Sequence, residues 1–73
     1  MEMRQHEAGK GLYAAVRAGL IAKGDSLNRW CQRNGEHRQY AALSLLGAAN
    51  GPKARAVRRR LIRAAGLAAP RHE

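Results

Sequence analysis

The stretch NRWCQRNGEHRQYAALSLLG, residues 28–47, decides how the chain folds. A short apolar face around Trp30 is followed by Gly35, a residue typical of a helix end, and then by a second run that begins with polar side chains. This pattern predicts one helix over residues 26–33 and another over residues 37–48, joined by a turn in which Gly35 takes a positive φ. The stretch therefore predicts two short helices that cross steeply, with Trp30 as the large core residue between them.

Further helices are predicted on both sides of this stretch. Apolar and small residues at three- and four-residue spacings predict an amphipathic helix over residues 11–23. Pro52 is favoured in the first turn of a helix, and the helix that it begins ends at Gly66. The expected inner face of that helix consists of Ala54, Val57, Leu61 and Ala64 or Ala65. No segment alternates apolar and polar residues as a half-buried strand does, so we expect an all-α fold, a compact bundle of about four short helices.

The length of 73 residues allows one small domain. We expect that domain over residues 11–66, with a flexible N-terminal arm over residues 1–10 and a C-terminal tail over residues 67–73. No helical spacing places two candidate catalytic side chains together. We therefore expect a protein that is not an enzyme.

The chain is strongly basic: 14 Lys and Arg residues against 5 Asp and Glu residues give a formal net charge of +9. Such a charge is typical of proteins that bind a polyanion, which can be DNA, RNA, an anionic membrane surface or an acidic protein. With no Phe, one Trp and two Tyr, the chain offers few side chains on which single-stranded bases could stack. Among nucleic acids, the composition therefore favours a double-stranded partner over a single-stranded one.

Cysteine usage and the N-terminal sequence remove other classes of protein. Cys31 is the only cysteine, so it cannot form an internal disulfide, and we interpret it as a small buried hydrophobic residue. No Cys or His spacing resembles a zinc site, and we expect neither a metal nor another cofactor. The N-terminal sequence MEMRQHEAGKG lacks the apolar core of a signal peptide, and no later window is apolar enough to cross a membrane. We expect a cytoplasmic protein without a membrane partner.

The two central helices and the break between them match the helix-turn-helix unit of DNA-binding proteins in length, order and turn chemistry. Cys31 and Ala41 supply small side chains where the two backbones approach each other. Arg38 and Gln39 lie in the first turn of the second helix, where recognition helices enter the major groove, and there Arg pairs with guanine and Gln with adenine. We therefore expect Arg38 and Gln39 to contact bases of double-stranded DNA. The alternative to the helix-turn-helix is an ordinary helical bundle with a glycine turn between two helices. The alternative to base contact is that Arg38 and Gln39 lie at a solvated helix end.

Candidate phosphate contacts lie at the starts of these helices and on the basic helix that follows Pro52. They are Ser26, Asn28, Arg29, His37, Tyr40, Lys53, Arg55 and Arg59. Ser26 can instead serve as a helix N-cap, and Tyr40 can pack on the preceding helix. His37 or Glu36 can cap the helix that they precede. The last helix also carries six positive charges and no negative one, which suits an RNA groove, so an RNA-binding or ribosome-associated protein is the alternative function.

Two leucines, Leu43 and Leu46, lie away from the stripe of small and apolar residues formed by Ala41, Ser44 and Leu45. We expect a neighbouring helix to cover them, with a second subunit as the alternative. A homodimer would also double the contacts on an operator with two half-sites.

The segments LNRWCQRNG, RQYA, LLG and NGPKARAVRRRL, in this order, resemble the small helix-turn-helix proteins of Mu-like phages and prophages, which are Ner-like relatives of the λ-repressor-type domain. The resemblance covers roughly residues 12–65. It implies a compact all-helical domain that binds operator DNA at the bacterial nucleoid and regulates phage or prophage genes. An architectural or recombination-directing DNA-binding protein is a close variant. Ala42 departs from the family pattern, which has a basic residue there, and this implies that base contacts are fewer or placed elsewhere.

Overall fold

Four α-helices form the protein over residues 7–67, the part of the chain described by the computed structural model. They are α1 (Lys10–Ala22), α2 (Leu27–Asn34), α3 (Arg38–Leu46) and α4 (Pro52–Ala64). The described residues contain no strand, which confirms the expected all-α bundle of four short helices. Residues 1–6 of the expected arm and residues 68–73 of the expected tail lie outside the described part of the chain.

α1 begins one residue earlier than its spacing predicts. The Gly9 N–H donates a hydrogen bond to the Leu45 carbonyl oxygen at 2.9 Å, and the Tyr13 N–H donates to the Gly9 carbonyl oxygen at 3.0 Å. These bonds attach the residue before α1 to the C-terminal part of α3 and close the first turn of α1. Lys10 therefore belongs to the helical domain and not to the arm.

The turn between α2 and α3 has the predicted geometry. Gly35 takes a left-handed conformation with a φ of 68°, and its N–H donates to the Cys31 carbonyl oxygen, which ends α2. α3 is shorter than predicted, because a second left-handed glycine, Gly47 with a φ of 88°, ends that helix at Leu46. Both helices therefore end where glycine lets the backbone reverse direction without a steric penalty.

The core lies where α3 packs against each of the other three helices, and α1 also packs against α4. Its buried residues are Leu12, Val16 and Leu20 of α1, Leu27, Trp30 and Cys31 of α2, Ala41 and Leu45 of α3, and Val57, Leu61, Ile62 and Ala65 in and after α4. Trp30, the expected large core residue, exposes only 5% of its surface. The burial expected for Cys31 and Ala41 is confirmed as well.

Leu43 and Leu46 are not covered by a neighbouring helix within the described residues, so the expectation of burial is wrong. Each exposes 37% of its surface. The cause is the orientation of α3, whose inward face carries the buried Ala41, Ser44 and Leu45. Since residues three and four positions apart share one face of a helix, the two leucines lie on the opposite side.

Candidate nucleic-acid interface

The start of α2 and the start of α3 lie at one surface of the bundle. Ser26 is the N-cap of α2, because its Oγ accepts a hydrogen bond from the Arg29 N–H at 3.1 Å, and α2 therefore begins at Leu27, one residue later than predicted. Beside this cap is an open depression of about 220 Å³, lined by Arg17, Ile21, Ser26, Leu27, Asn28 and Arg38. The depression brings together three of the predicted DNA contacts, Ser26, Asn28 and Arg38.

Arg17 of α1 belongs to the same surface, although its position in the sequence does not single it out. Its guanidinium carbon lies 5.5 Å from the centroid of the Tyr13 ring, one helical turn earlier. The spacing of these two residues is visible in the sequence, but it does not reveal that α2 and α3 begin on that side of α1. Arg17 adds an exposed cation to the depression that Arg38 lines.

One face of α3 is open to solvent. Gln39, Leu43 and Leu46 follow each other at spacings of four and three residues, and all three are exposed. We call these three residues the outer face of α3. Arg38 is exposed and flanks the outer face on the side of the depression. Both predicted base contacts, Arg38 and Gln39, are therefore accessible to a ligand that approaches α3.

Tyr40 and Lys53 flank the outer face of α3 on its other side. Tyr40 is half-buried and packs against the core. The Lys53 Nζ lies 5.3 Å from the centroid of the Tyr40 ring, which is a cation–π distance. Lys53, in the first turn of α4, is thus held beside the first turn of α3. Positive side chains therefore stand on both sides of the outer face.

Arg58 of α4 forms hydrogen bonds within the domain. Its Nε donates to the Ser44 carbonyl oxygen at 2.8 Å, and its Nη2 donates to the Asn50 Oδ1 at 2.6 Å and to the Ala49 carbonyl oxygen at 3.3 Å. These bonds supply donors to the last turn of α3, whose carbonyl oxygens lack partners within the helix, and to the loop that follows. The half-buried Arg58 therefore holds the end of α3 to α4.

The Arg60 side chain also bonds to other residues of the domain. It donates to the Glu36 Oε2 and to the Asn34 Oδ1, both at 3.1 Å, and its guanidinium lies 5.1 Å from the centroid of the Trp30 ring. Glu36 is thus drawn toward α4 by an ion pair. His37 occupies the N-cap position of α3 but makes no side-chain capping bond. His37 therefore does not form the side-chain cap considered for it, and the Glu36 carboxylate pairs with Arg60.

Three predicted phosphate contacts, Arg29, Arg55 and Arg59, are exposed. Within residues 7–67 their side chains form no hydrogen bond or ion pair. Arg29 lies in the first turn of α2, next in sequence to Asn28 of the depression. Among the described residues, no hydrogen bond, ion pair or cation–π pair joins Arg55 or Arg59 to α3, and neither residue lines the depression that groups the candidates of α2 and α3.

Two acidic residues lie near this surface, and each is bound to an arginine. The Asp25 carboxylate accepts two hydrogen bonds from Arg33, at 3.0 and 2.6 Å. These bonds, together with a backbone N–H, lower the pKa of Asp25 from 3.8 to about 2. Glu36 is held by Arg60. Neither carboxylate lines the depression, where both charged residues are arginines.

Three comparisons with known proteins were negative: no protein family, curated protein or solved structure matches the chain. None of the four described helices combines the length and the apolar composition needed to cross a lipid bilayer. Residues 7–67 contain no group of three or more His, Cys, Asp or Glu side chains placed to hold a metal ion. A function must therefore be inferred from the geometry and charge of the surface itself.

Proposed function

We propose that the protein binds double-stranded DNA sequence-specifically, with α3 in the major groove and the start of α2 on the sugar-phosphate backbone. α2, the turn at Gly35 and α3 then act as a helix-turn-helix unit. The observation that carries this proposal is the depression beside the outer face of α3. It gathers Arg17, Asn28 and Arg38 from three different helices at one surface.

Base recognition is assigned to Arg38 and Gln39. Both side chains are exposed in the first turn of α3. An Arg side chain donates two hydrogen bonds to the O6 and N7 atoms of guanine, and a Gln amide pairs with the N6 and N7 atoms of adenine. The assignment therefore favours a site with at least one G·C and one A·T pair read by the start of α3.

Phosphate contacts are assigned to both sides of α3. Arg17 and the first turn of α2 lie on one side of the outer face, and Lys53 lies on the other. A helix in the major groove has a phosphate strand on each side of it, since the groove is about 12 Å wide. Cations on both flanks of α3 therefore suit a duplex, and the net charge of +9 supplies long-range attraction.

The first test is the salt dependence of binding to a duplex selected from a random pool. Four to six phosphate contacts predict that log K falls against log salt with a slope of about −4 to −5, because each contact releases condensed counterions. The same titration is repeated with a structured RNA of similar length. A slope near zero, or tighter binding to the RNA than to the selected duplex, would overturn the proposal.

The second test separates base contacts from phosphate contacts. Arg38→Ala and Gln39→Ala should each cost about 1 to 3 kcal/mol on the selected duplex and less on a scrambled duplex. Arg17→Ala and Lys53→Ala, at the phosphate contacts assigned above, should weaken both duplexes alike and reduce the salt slope by about one unit each. If the α3 variants lost equal affinity for both duplexes, α3 would not be the helix that reads the bases.

The resemblance to Ner-like phage proteins adds the expectation that the duplex is an operator and that binding regulates transcription. An operator with two half-sites would take up two copies of the chain in symmetric positions. The stoichiometry on the selected duplex tests this point, because a single copy bound per site argues against a homodimer on DNA.

A further inference from the structure

The outer face of α3 carries two leucines that no described part of the chain covers. Leu43 and Leu46 each expose 37% of their surface, and they follow Gln39 by about one and two helical turns. Leucine is usually placed inside a protein, where its burial stabilises the fold. Two leucines in line with a candidate base contact therefore point to a ligand that covers all three residues.

A second copy of the chain suits this face poorly. A stable protein interface buries about 800 Å² on each partner, and two partly exposed leucines supply only a small part of that area. Both flanks of the outer face are positive, with Arg38 on one side and Lys53 on the other, so two copies of the face would repel each other. The same charges attract a polyanion.

We propose that Leu43 and Leu46 contact the C5-methyl groups of thymine bases in the major groove. This inference rests on the DNA binding proposed above and specifies which bases the same surface reads. Thymine presents a methyl group in the major groove, and the other three standard bases present only polar atoms and ring edges there. Contact with leucine therefore favours thymine at the base pairs that face Leu43 and Leu46.

The helix geometry also predicts where the first of these thymines lies. α3 rises 1.5 Å per residue, so Leu43 lies about 6 Å beyond Gln39 along the helix axis. Consecutive base pairs are separated by about 3.4 Å. Leu43 therefore reads a thymine about one or two base pairs from the adenine that Gln39 contacts.

The test replaces each thymine of the selected duplex in turn by deoxyuridine, which removes the methyl group and keeps the hydrogen-bonding edge. Replacement of a thymine that a leucine contacts should lower the affinity of the wild-type protein roughly three- to fivefold. This is the change in affinity expected when one methyl group is no longer withdrawn from water. Leu43→Ala should bind the thymine and uracil duplexes equally at one of these positions, and Leu46→Ala should do so at another.

Ile21→Ala is the matched control. Ile21 exposes 61% of its surface and lines the depression, but it belongs to α1 and lies outside the outer face of α3. Because the depression belongs to the proposed interface, Ile21→Ala can weaken binding to every duplex, but the ratio of its affinities for the thymine and uracil duplexes should equal that of the wild type. Circular dichroism of the three variants checks that the helices are retained.

The outcomes distinguish this inference from the function on which it rests. Suppose that the wild type binds the selected duplex specifically, but that uracil does not lower its affinity or lowers the affinity of the leucine variants equally. The thymine contacts are then overturned and the DNA-binding proposal stands. If the wild type binds no duplex, both are overturned. A dimer that Leu43→Ala and Leu46→Ala abolish, with an unchanged thymine preference, would mean that a second copy covers the outer face.

Discussion

Two glycines of α1 give opposite predictions for the same substitution. A Cβ atom at Gly19 would lie 2.9 Å from the Ala65 Cβ and closer still to the Ala65 carbonyl oxygen, because α1 packs tightly against the end of α4 at this point. A Cβ atom at Gly11 would meet no neighbouring atom within 4 Å. Neither glycine has a positive φ. The substitutions Gly11→Ala and Gly19→Ala therefore separate packing from helix propensity.

The two free energies of unfolding can be worked out from these contacts. Gly11→Ala should stabilise the protein by about 0.5 kcal/mol, since alanine favours a helix and restricts the unfolded chain. At Gly19 the propensity gain is about 1 kcal/mol. Carbon atoms pack best about 3.5 to 4.0 Å apart, so Ala65 must shift, and crowding of this kind costs about 1 to 3 kcal/mol. The expected net effect of Gly19→Ala is a loss of about 1 kcal/mol.

Thermal unfolding followed by circular dichroism measures this difference. A gap of about 1.5 kcal/mol between the two variants corresponds to about 6 to 12 °C in Tm for a domain of this size. Urea unfolding followed by the fluorescence of Trp30, the only tryptophan, provides an independent value. If Gly19→Ala proved as stable as Gly11→Ala, the close approach of α1 to Ala65 would be refuted.

Three further predictions concern individual contacts. The pKa of Asp25 is about 2 in the folded protein against 3.8 normally, so its pairing with Arg33 stabilises the fold fully above about pH 3.8 and less as the pH falls toward 2. As the pH falls through this range, the Tm of Asp25→Asn should consequently fall less than the Tm of the wild type. Parallel plots of Tm against pH for the two proteins would contradict the ion pair. Arg58→Ala should lower the free energy of unfolding, measured by urea unfolding, by about 1 to 2 kcal/mol, because Arg58 bonds the end of α3. The exposed control Arg59→Ala should change it by less than about 0.5 kcal/mol, and equal effects of the two variants would refute the anchoring role of Arg58. Cys31 should react with a thiol reagent only after unfolding, because burial blocks access and raises the pKa of its thiol, and rapid labelling of the folded protein would disprove that burial.

The centre of the fold could be predicted from the sequence because its signals are local. Gly35 ends α2 through its own backbone conformation, and Ser26 begins α2 through a bond to a residue three positions away. Trp30 lies on an apolar face that the spacing of α2 defines by itself. None of these features depends on how the distant parts of the chain are arranged.

The roles of the arginines in α4 could not be predicted in this way. Arg58, Arg59 and Arg60 are consecutive and chemically identical, yet Arg58 binds the end of α3, Arg60 binds Glu36, and Arg59 is exposed. Helical spacing separates their directions by about 100° but does not say which helix lies in each direction. The same limit applies to Arg17, whose place beside Arg38 depends on the packing of α1 against α3.

α3 combines two features that the stability of a small domain alone does not favour. It buries Ala41, Ser44 and Leu45, while Leu43 and Leu46 remain exposed. The small buried side chains allow a helix of nine residues to pack against all three others. Full burial of a leucine contributes about 1.5 to 3 kcal/mol, and the 37% of its surface that each leucine exposes leaves roughly a third of that contribution unrealised. A ligand that covered the outer face of α3 would release that free energy, which supports the proposal that recognition lies on α3 rather than on the more highly charged α4.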